Sequence, residues 1–489
     1  MSKAREKILS ALNNNKVVAL FVVLCIAAIW ASGKPMTYVA GELFTRIGRN
    51  GFTVLALLIP VLAGMGLNFG IVIGAIAAQI ALFFAVYWGL TGIEGFLICI
   101  LMATPLAVLF GLLVGKLFNR MKGAEMIAGM VLGYFADGLY QLLFLFIIGG
   151  VIPMNPKSPL LITGGVGVKN TVDLANNLKY ALDTVSMLAL LEVLFYVIVL
   201  LTAAKLVICL VKKSYTTLKR DLAIFIVAAV AYALTYIPAI EAFLATDRLG
   251  LLDGVTALAV VVIAWQIYKI VRNKLVDREA RFALGKPLGI IGATVVLYAL
   301  TYIPAVEEVL LYINIPVTTY AAIFGLCMFN NWLLKTRLGQ NMRTVGQSRT
   351  VANAAGIDVD RTRVIAMVIS TVLACWGQLI YLQNIGTFST YGAHTQVGQF
   401  AIAALLVGGA SVQQANNKQA IIGVILFHTL FIVAPSAGQE LFNNAQLGEY
   451  FRVFVAYGVI AMSLAMHAWK KHVKPEEKEK VPKLPKVEK

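Results

Sequence analysis

From Gly51 to Leu90 the chain runs forty residues without one charged side chain. A fold in water cannot hide every face of such a run. A bilayer can, because its hydrocarbon core of about 30 Å asks for about 20 apolar residues per crossing. Comparable runs recur along the 489 residues, of which 60% are hydrophobic and 13% charged, against roughly 25% charged in soluble chains. That composition excludes a water-soluble enzyme, a soluble binding module and a disordered scaffold. In lipid only helices and closed barrels satisfy every backbone group, and runs of this length are helices. The expected fold is all-α, a polytopic transmembrane bundle of about 14 spans.

The spans expected from the apolar runs are 17–32, 51–66, 70–89, 93–115, 124–149, 184–211, 221–239, 254–272, 287–305, 315–334, 364–384, 397–414, 419–435 and 449–469. The net charge of +17 follows from the bias of Lys and Arg toward cytoplasmic loops, not from binding to nucleic acid. Basic clusters at Lys116–Lys122, Lys212–Arg220, Lys269–Lys286 and Lys335–Arg363 alternate with acidic or neutral connections such as Glu241–Asp253 and Glu440–Glu449. Both ends are therefore expected inside the cell. This gives a cytoplasmic N-terminus over 1–16 and an N-terminal transmembrane part over 17–218. Duplicated hairpins follow over 219–334, a cytoplasmic loop over 335–363, a C-terminal transmembrane part over 364–469 and a disordered tail over 470–489. Pro60 and Gly64, Gly66, Gly70 and Gly74 predict a broken helix near 60–74, which at membrane depth must face protein or a water-filled cavity.

Tyr232–Glu241 reads YALTYIPAIE and Tyr298–Glu307 reads YALTYIPAVE, nine of ten residues identical at an offset of 66. Such a run is not low complexity, so it marks a duplicated two-span hairpin, which leaves every downstream orientation unchanged. The Tyr-Ile-Pro is expected to end each helix at the outer interface. The five cysteines lie far apart inside apolar runs, and the four histidines show no metal-ligand spacing, so neither a disulfide framework nor a metal site is expected.

No G-x-x-x-x-G-K-[ST] is present, so the chain does not cradle nucleotide phosphates itself. No cluster of nucleophile, base or metal ligands suggests an enzyme. The stretch Lys335–Arg363 combines arginines with Gly339, Gly346, Gly356, Ala352, Ala354 and Ala355. The small residues predict a short helix with a smooth face that another surface approaches closely. Thr336-Arg337-Leu338-Gly339, Val345-Gly346-Gln347 and Val351–Ile357 resemble the coupling loop of bacterial ABC importer permeases of the branch carrying simple sugars of the ribose and galactose type, nucleosides and branched-chain amino acids. Gly64–Gly70 resembles the glycine-rich break early in such permeases, Ile369–Gly377 the span after their coupling loop, and Gly408-Gly409-Ala410-Ser411 the GG-x-S that ends their next span. The chain departs from the family pattern in about four extra spans, in Val412-Gln413-Gln414 where a second glycine pair is usual, and in Asn68 where the sugar branch has an acid.

The resemblance implies a permease subunit in the bacterial cell membrane that moves a simple sugar or nucleoside. ATP would be bound and hydrolysed by a separate cytoplasmic subunit, so no cofactor belongs to this chain. It implies a second permease subunit and an extracellular solute-binding protein or lipoprotein as partners. ATPase coupling falls on Arg337, Gly339, Gly346, Ala352, Ala354, Ala355, Gly356 and Ile357. The candidate solute pathway is Asn68 and Phe69 in the break, Asp137, Tyr140 and Gln141 in the run 124–149, and Gln378 after the coupling loop. An intramembrane carboxylate such as Asp137 is costly and by default functional, while Gln79 reads as interhelical hydrogen bonding. The alternative reading is an ion-coupled secondary transporter with Asp137 and Glu192 as ion sites.

Overall fold

The computed structural model describes residues 16–162, 164–212, 218–272 and 284–473. The expected cytoplasmic N-terminus, apart from Lys16, and the expected tail beyond Val473 lie outside the described residues, as do parts of the basic loops after Lys212 and Arg272. The chain opens with α1 (Lys16–Ala31), α2 (Met36–Ala56) and the short α3 (Leu58–Leu62), then α4 (Ile71–Tyr87), α5 (Gly92–Arg120) and α6 (Glu125–Leu142). A loop holding β1 (Thr171–Asp173) leads to α7 (Met187–Lys212). The first repeat unit is α8 (Leu218–Leu234), α9 (Pro238–Leu244), β2 (Arg248–Gly250) and α10 (Leu251–Val271); the second is α11 (Gly285–Ala299), α12 (Pro304–Tyr312), β3 (Asn314–Pro316) and α13 (Val317–Leu333). The last section is α14 (Arg337–Gln347), α15 (Arg349–Ala354), α16 (Val359–Ile385), β4 (Thr387–Ser389), α17 (Ala393–Val407), α18 (Asn417–Phe442) and α19 (Ala445–Val473).

The fold is all-α and polytopic, with two small antiparallel ribbons, β1 with β4 and β2 with β3. Seven of the described helical stretches are each long and apolar enough to cross a membrane: Gly92–Arg120, Glu125–Gly150, Met187–Val207, Leu251–Val271, Gly285–Tyr302, Val359–Ile385 and Asn417–Phe442. Helix α16 is the central post, packed against α2, α4 and α5. Lipid gives no hydrophobic drive between helices, so close packing of small residues carries their association. Gly74 of α4 accordingly lies against the Thr371 carbonyl, and Gly111 and Gly115 of α5 lie against Val368 and Val364.

Two features differ from the sequence expectation. The helix expected from Gly51 begins at Met36, because α2 carries Glu42, Arg46 and Arg49, which mask it in any hydropathy reading. The Pro of each Tyr-Ile-Pro does end one helix, but it also starts the next, at the first turn of α9 and α12, where its missing N–H is no loss. Each repeat unit therefore turns through a short helix and a strand before its second long helix.

Candidate functional site

Three polar residues punctuate the stretch 335–363. Thr336 accepts from the Gly339 N–H (3.2 Å), Ser348 from Val351 (3.3 Å) and Asp358 from Arg361 (2.9 Å), capping α14, α15 and α16 in turn. The chain bends by 76° between α13 and α14, so α14 leaves the direction of the span before it. Gly356, with φ +75° and open space where a side chain would stand, makes the turn back into α16.

Helix α14 is bolted to the broken segment. Between Leu62 and Ile71 the chain leaves the helix, and a Cβ on Gly346 would stand 2.2 Å from the Leu62 carbonyl oxygen and 3.1 Å from the Gly64 N. Only glycine permits that approach. Beside it, Arg349 donates from Nη2 to Glu125 Oε1 (2.5 Å) and lies 3.4 Å from the Gly64 carbonyl. Arg363, fully buried on α16, donates to the same Glu125 oxygen (2.6 Å). Glu125 Oε2 accepts the Gly123 N–H (2.8 Å), and Lys122 pairs with Asp360 at 2.6 Å. One carboxylate thus ties the α5–α6 turn, the α14–α15 stretch, α16 and the segment after Leu62 together. A cavity of about 540 Å³ opens next to this junction, lined by Leu62, Gly346, Gln347, Gln413 and Gln414 among others.

The expected coupling residues divide between two faces. Arg337, Ala354, Ala355 and Gly356 are exposed and free to meet a partner. Ile357 is half-buried against a small cluster of Val345, Ala352 and Val359. Gly339, Gly346 and Ala352 instead pack against the chain itself, Gly339 against the Leu333 carbonyl, Gly346 against the Leu62 carbonyl, and Ala352 fully buried. Spacing along a helix marks a face of small residues; it does not say whether that face meets the chain's own backbone or another protein.

Among the pathway candidates, Asp137, Tyr140 and Gln141 are brought together on α6. Gln141 Nε2 donates to Asp137 Oδ2 (3.0 Å), and Asp137 Oδ1 lies 2.7 Å from His394 Nε2. The other ring nitrogen of His394 lies 3.0 Å from Gln79 Oε1, and the Tyr140 ring packs 4.7 Å from the imidazole. A carboxylate and an amide oxygen only accept, so the imidazole sits between two acceptors. One proton beyond those of neutral His and ionised Asp satisfies both, as does turning the Gln79 amide to present its NH2. Gln79 and His394 are fully buried, while the Asp137 side chain is 21% exposed, so the chain of polar groups leads from the core to the surface of α6. Phe69, in the segment before α4, packs against an earlier turn of α6, with its Cβ close to Gly129 and its carbonyl close to Gly133. Asn68 and Gln378 are buried apart from this group, and neither amide has a partner among the described residues.

Sequence reading missed three residues. His394 stood as a lone histidine at the start of an apolar run, and Glu125 as an acid at a loop edge. Asp183, buried at the end of the β1 loop, accepts from Thr319 (2.5 Å), Gln383 (2.9 Å) and Asn384 (2.7 Å). Only the acid-before-apolar-run position of Glu125 was a visible signal, and it marks a helix start in any protein.

Parts of the chain resemble known proteins. A 154-residue stretch is 32% identical to the galactose/methyl galactoside import permease protein of Haemophilus influenzae, covering 32% of this chain and 44% of that protein. Another of 139 residues is 28% identical to the nucleoside ABC transporter permease protein of Lactococcus lactis, covering 28% of this chain and 35% of that one. The chain spans less than half the length of these curated relatives. No solved structure matches it. The model of the branched-chain amino acid transport system permease component family matches residues 184–464, from α7 through α14 and α15 and into α19, more than half of the chain, and the chain belongs to that family of multi-pass membrane permeases.

Proposed function

We propose that this chain is the membrane-spanning permease subunit of an ATP-binding cassette importer for a small polar solute, a simple sugar or a nucleoside. The contact of Gly346 with Leu62, locked by Arg349 and Glu125, carries the reading. It gives a force applied to the cytoplasmic loop a rigid route into the non-helical segment that joins α3 to α4. The exposed face of α15 with Gly356 would seat the ATPase subunit, and closure of an ATPase pair would swing α14, the Leu62–Ile71 segment and the foot of α6 as one body. A bistable bundle is biased in this way by a ligand that distinguishes its two states. A second permease subunit would cover the α6 face on which Asp137 and Gln141 emerge, because a carboxylate open to lipid is costly. Solute hydroxyls would meet Asp137 and Gln141 there, with Tyr140 packed behind them. The names of the galactose and nucleoside permeases support that solute class.

The proposal includes 14 crossings: the seven long apolar stretches, the shorter apolar helices α1, α4, α8 and α17, and α2, α13 and α19. Both ends then lie in the cytoplasm, with a substrate-delivering protein on the opposite face. In proteoliposomes holding the assembled complex, uptake is expected to stop without ATP and to persist when the proton gradient is collapsed. Uptake that follows the proton gradient and ignores ATP would favour an ion-coupled carrier with Asp137 and His394 as its proton site.

A further inference from the structure

Cationic side chains gather beside the outer half of α16, away from the coupling loop, and the transport reading above does not use them. Arg46 and Arg49 lie about one turn apart on α2, His428 is on α18 and Arg452 on α19. Helix α2 packs on both α16 and α18, and α18 packs on α19. Arg46 lies within electrostatic reach of Arg49 and Arg452, and His428 within reach of Arg46 and Arg49. Arg452 donates from Nη1 to the Phe431 carbonyl (2.9 Å) and stacks 4.9 Å over the Phe431 ring. The His428 ring lies 6.3 Å from that same ring.

The acids nearby are already engaged or stand off. Glu449 pairs with Arg452. Arg49 donates from Nε to Asn384 (2.9 Å), whose amide donates to Asp183. Glu42, one turn along α2, acts on the charge of Arg46. Among the described residues no acid forms an ion pair with Arg46. Three buried nitrogens from three helices have no hydrogen-bond partner among the described residues: Arg46 Nε, Arg452 Nε and His428 Nδ1. His428 itself is only 4% exposed.

Arginine within a membrane protein is expensive, and an unpaired buried donor adds to the cost. The Nε–H groups of Arg46 and Arg452, without acceptors among the described residues, match a group that only accepts; both Nη atoms of Arg452 are taken by Phe431 and Glu449, so the planar fork that suits a carboxylate or phosphate is that of Arg46. We propose that Arg46, Arg452 and His428 form a binding site for an oxyanion, the carboxylate or phosphate of a soluble anion or the phosphate of an anionic lipid headgroup. The site is separate from the Asp137 group and does not rest on the identity of the transported solute.

The test uses the purified full chain in nanodiscs of phosphatidylcholine, with or without phosphatidylglycerol. Melting temperature is read in millimolar inorganic phosphate and in sodium chloride of equal ionic strength. Wild type is expected to melt several degrees higher with phosphate, with phosphatidylglycerol, or with both, and Arg46→Gln and Arg452→Gln are each expected to lose the rise. A rise with free phosphate in pure phosphatidylcholine assigns a soluble anion; a rise confined to phosphatidylglycerol discs assigns the lipid headgroup. Arg46→Lys keeps the charge without the fork and is expected to lose most of the rise, so it serves if Arg46→Gln does not fold. No rise in wild type, or an equal rise in wild type and these variants, overturns the site.

Discussion

Leu249 and Ile315 face each other as antiparallel partners, and they stand 66 residues apart, the offset of the duplicated sequence. Each repeat unit therefore meets the other through its own equivalent residue. Arg248 opposes Pro316, and Gly250 opposes Asn314, so the ribbon has a local two-fold axis between Leu249 and Ile315. Such a contact is self-complementary in the way of a symmetric dimer interface. Here duplication placed both copies in one chain. The ribbon also pairs backbone groups at the turn that would otherwise need other partners.

Removal of one unit, Gly250 to Ile315, joins Leu249 to Pro316 and deletes two of the proposed crossings. The shortened chain is expected to insert with its two ends on one side of the membrane, as the proposed 14 crossings require, and to keep residues 335–363. Cysteine labelling from each side of the membrane checks this; a tail that moves to the outer face would show that the two units are not interchangeable.

Glu125→Gln leaves Arg363 buried without its counter-charge, a change that costs about 3–5 kcal/mol for a buried pair. Arg349 is a third exposed, so Arg349→Gln is expected to cost about 1 kcal/mol or less. Chemical denaturation of the purified chain reads both. Equal effects would mean that Arg363, not the loop, is irrelevant to the clamp.

Gly346→Ala forces a methyl group to within 2.2 Å of the Leu62 oxygen, so α14 must part from the broken segment. Solute-stimulated ATP hydrolysis of the complex is expected to fall on the order of tenfold, about 1.4 kcal/mol in barrier terms. Gly356→Arg meets open space, costs roughly 1–2 kcal/mol of backbone strain, and is expected to abolish co-purification of the ATPase while the chain stays folded. Retained ATPase in that variant would move the docking face elsewhere.

Asp137→Asn and His394→Ala act on groups 2.7 Å apart. Each is expected to lower solute uptake, and the double variant is expected to lose less than the two effects combined, with a coupling of about 0.5–3 kcal/mol. Uptake kinetics on all four proteins measure it; strict additivity would mean that the two side chains act independently.

The sequence by itself determined the helices, because runs of apolar residues have no other stable form in lipid. It also determined local helix boundaries, through the N-caps Thr336, Ser348 and Asp358 and through the two repeat prolines, since a cap acts over three or four residues. Helix α2 escaped because its charges are local evidence against a span, and only its packing against α16 and α18 shows that it belongs to the bundle. The contacts that define the candidate site join residues far apart in the chain: Asp137 with His394, Glu125 with Arg349 and Arg363, Gly346 with Leu62. Which helix stands beside which decided them. Hydrophobic patterning fixes that a face is apolar or small, whereas its neighbour is chosen by the close packing of many side chains at once, and that choice exists only in the folded bundle.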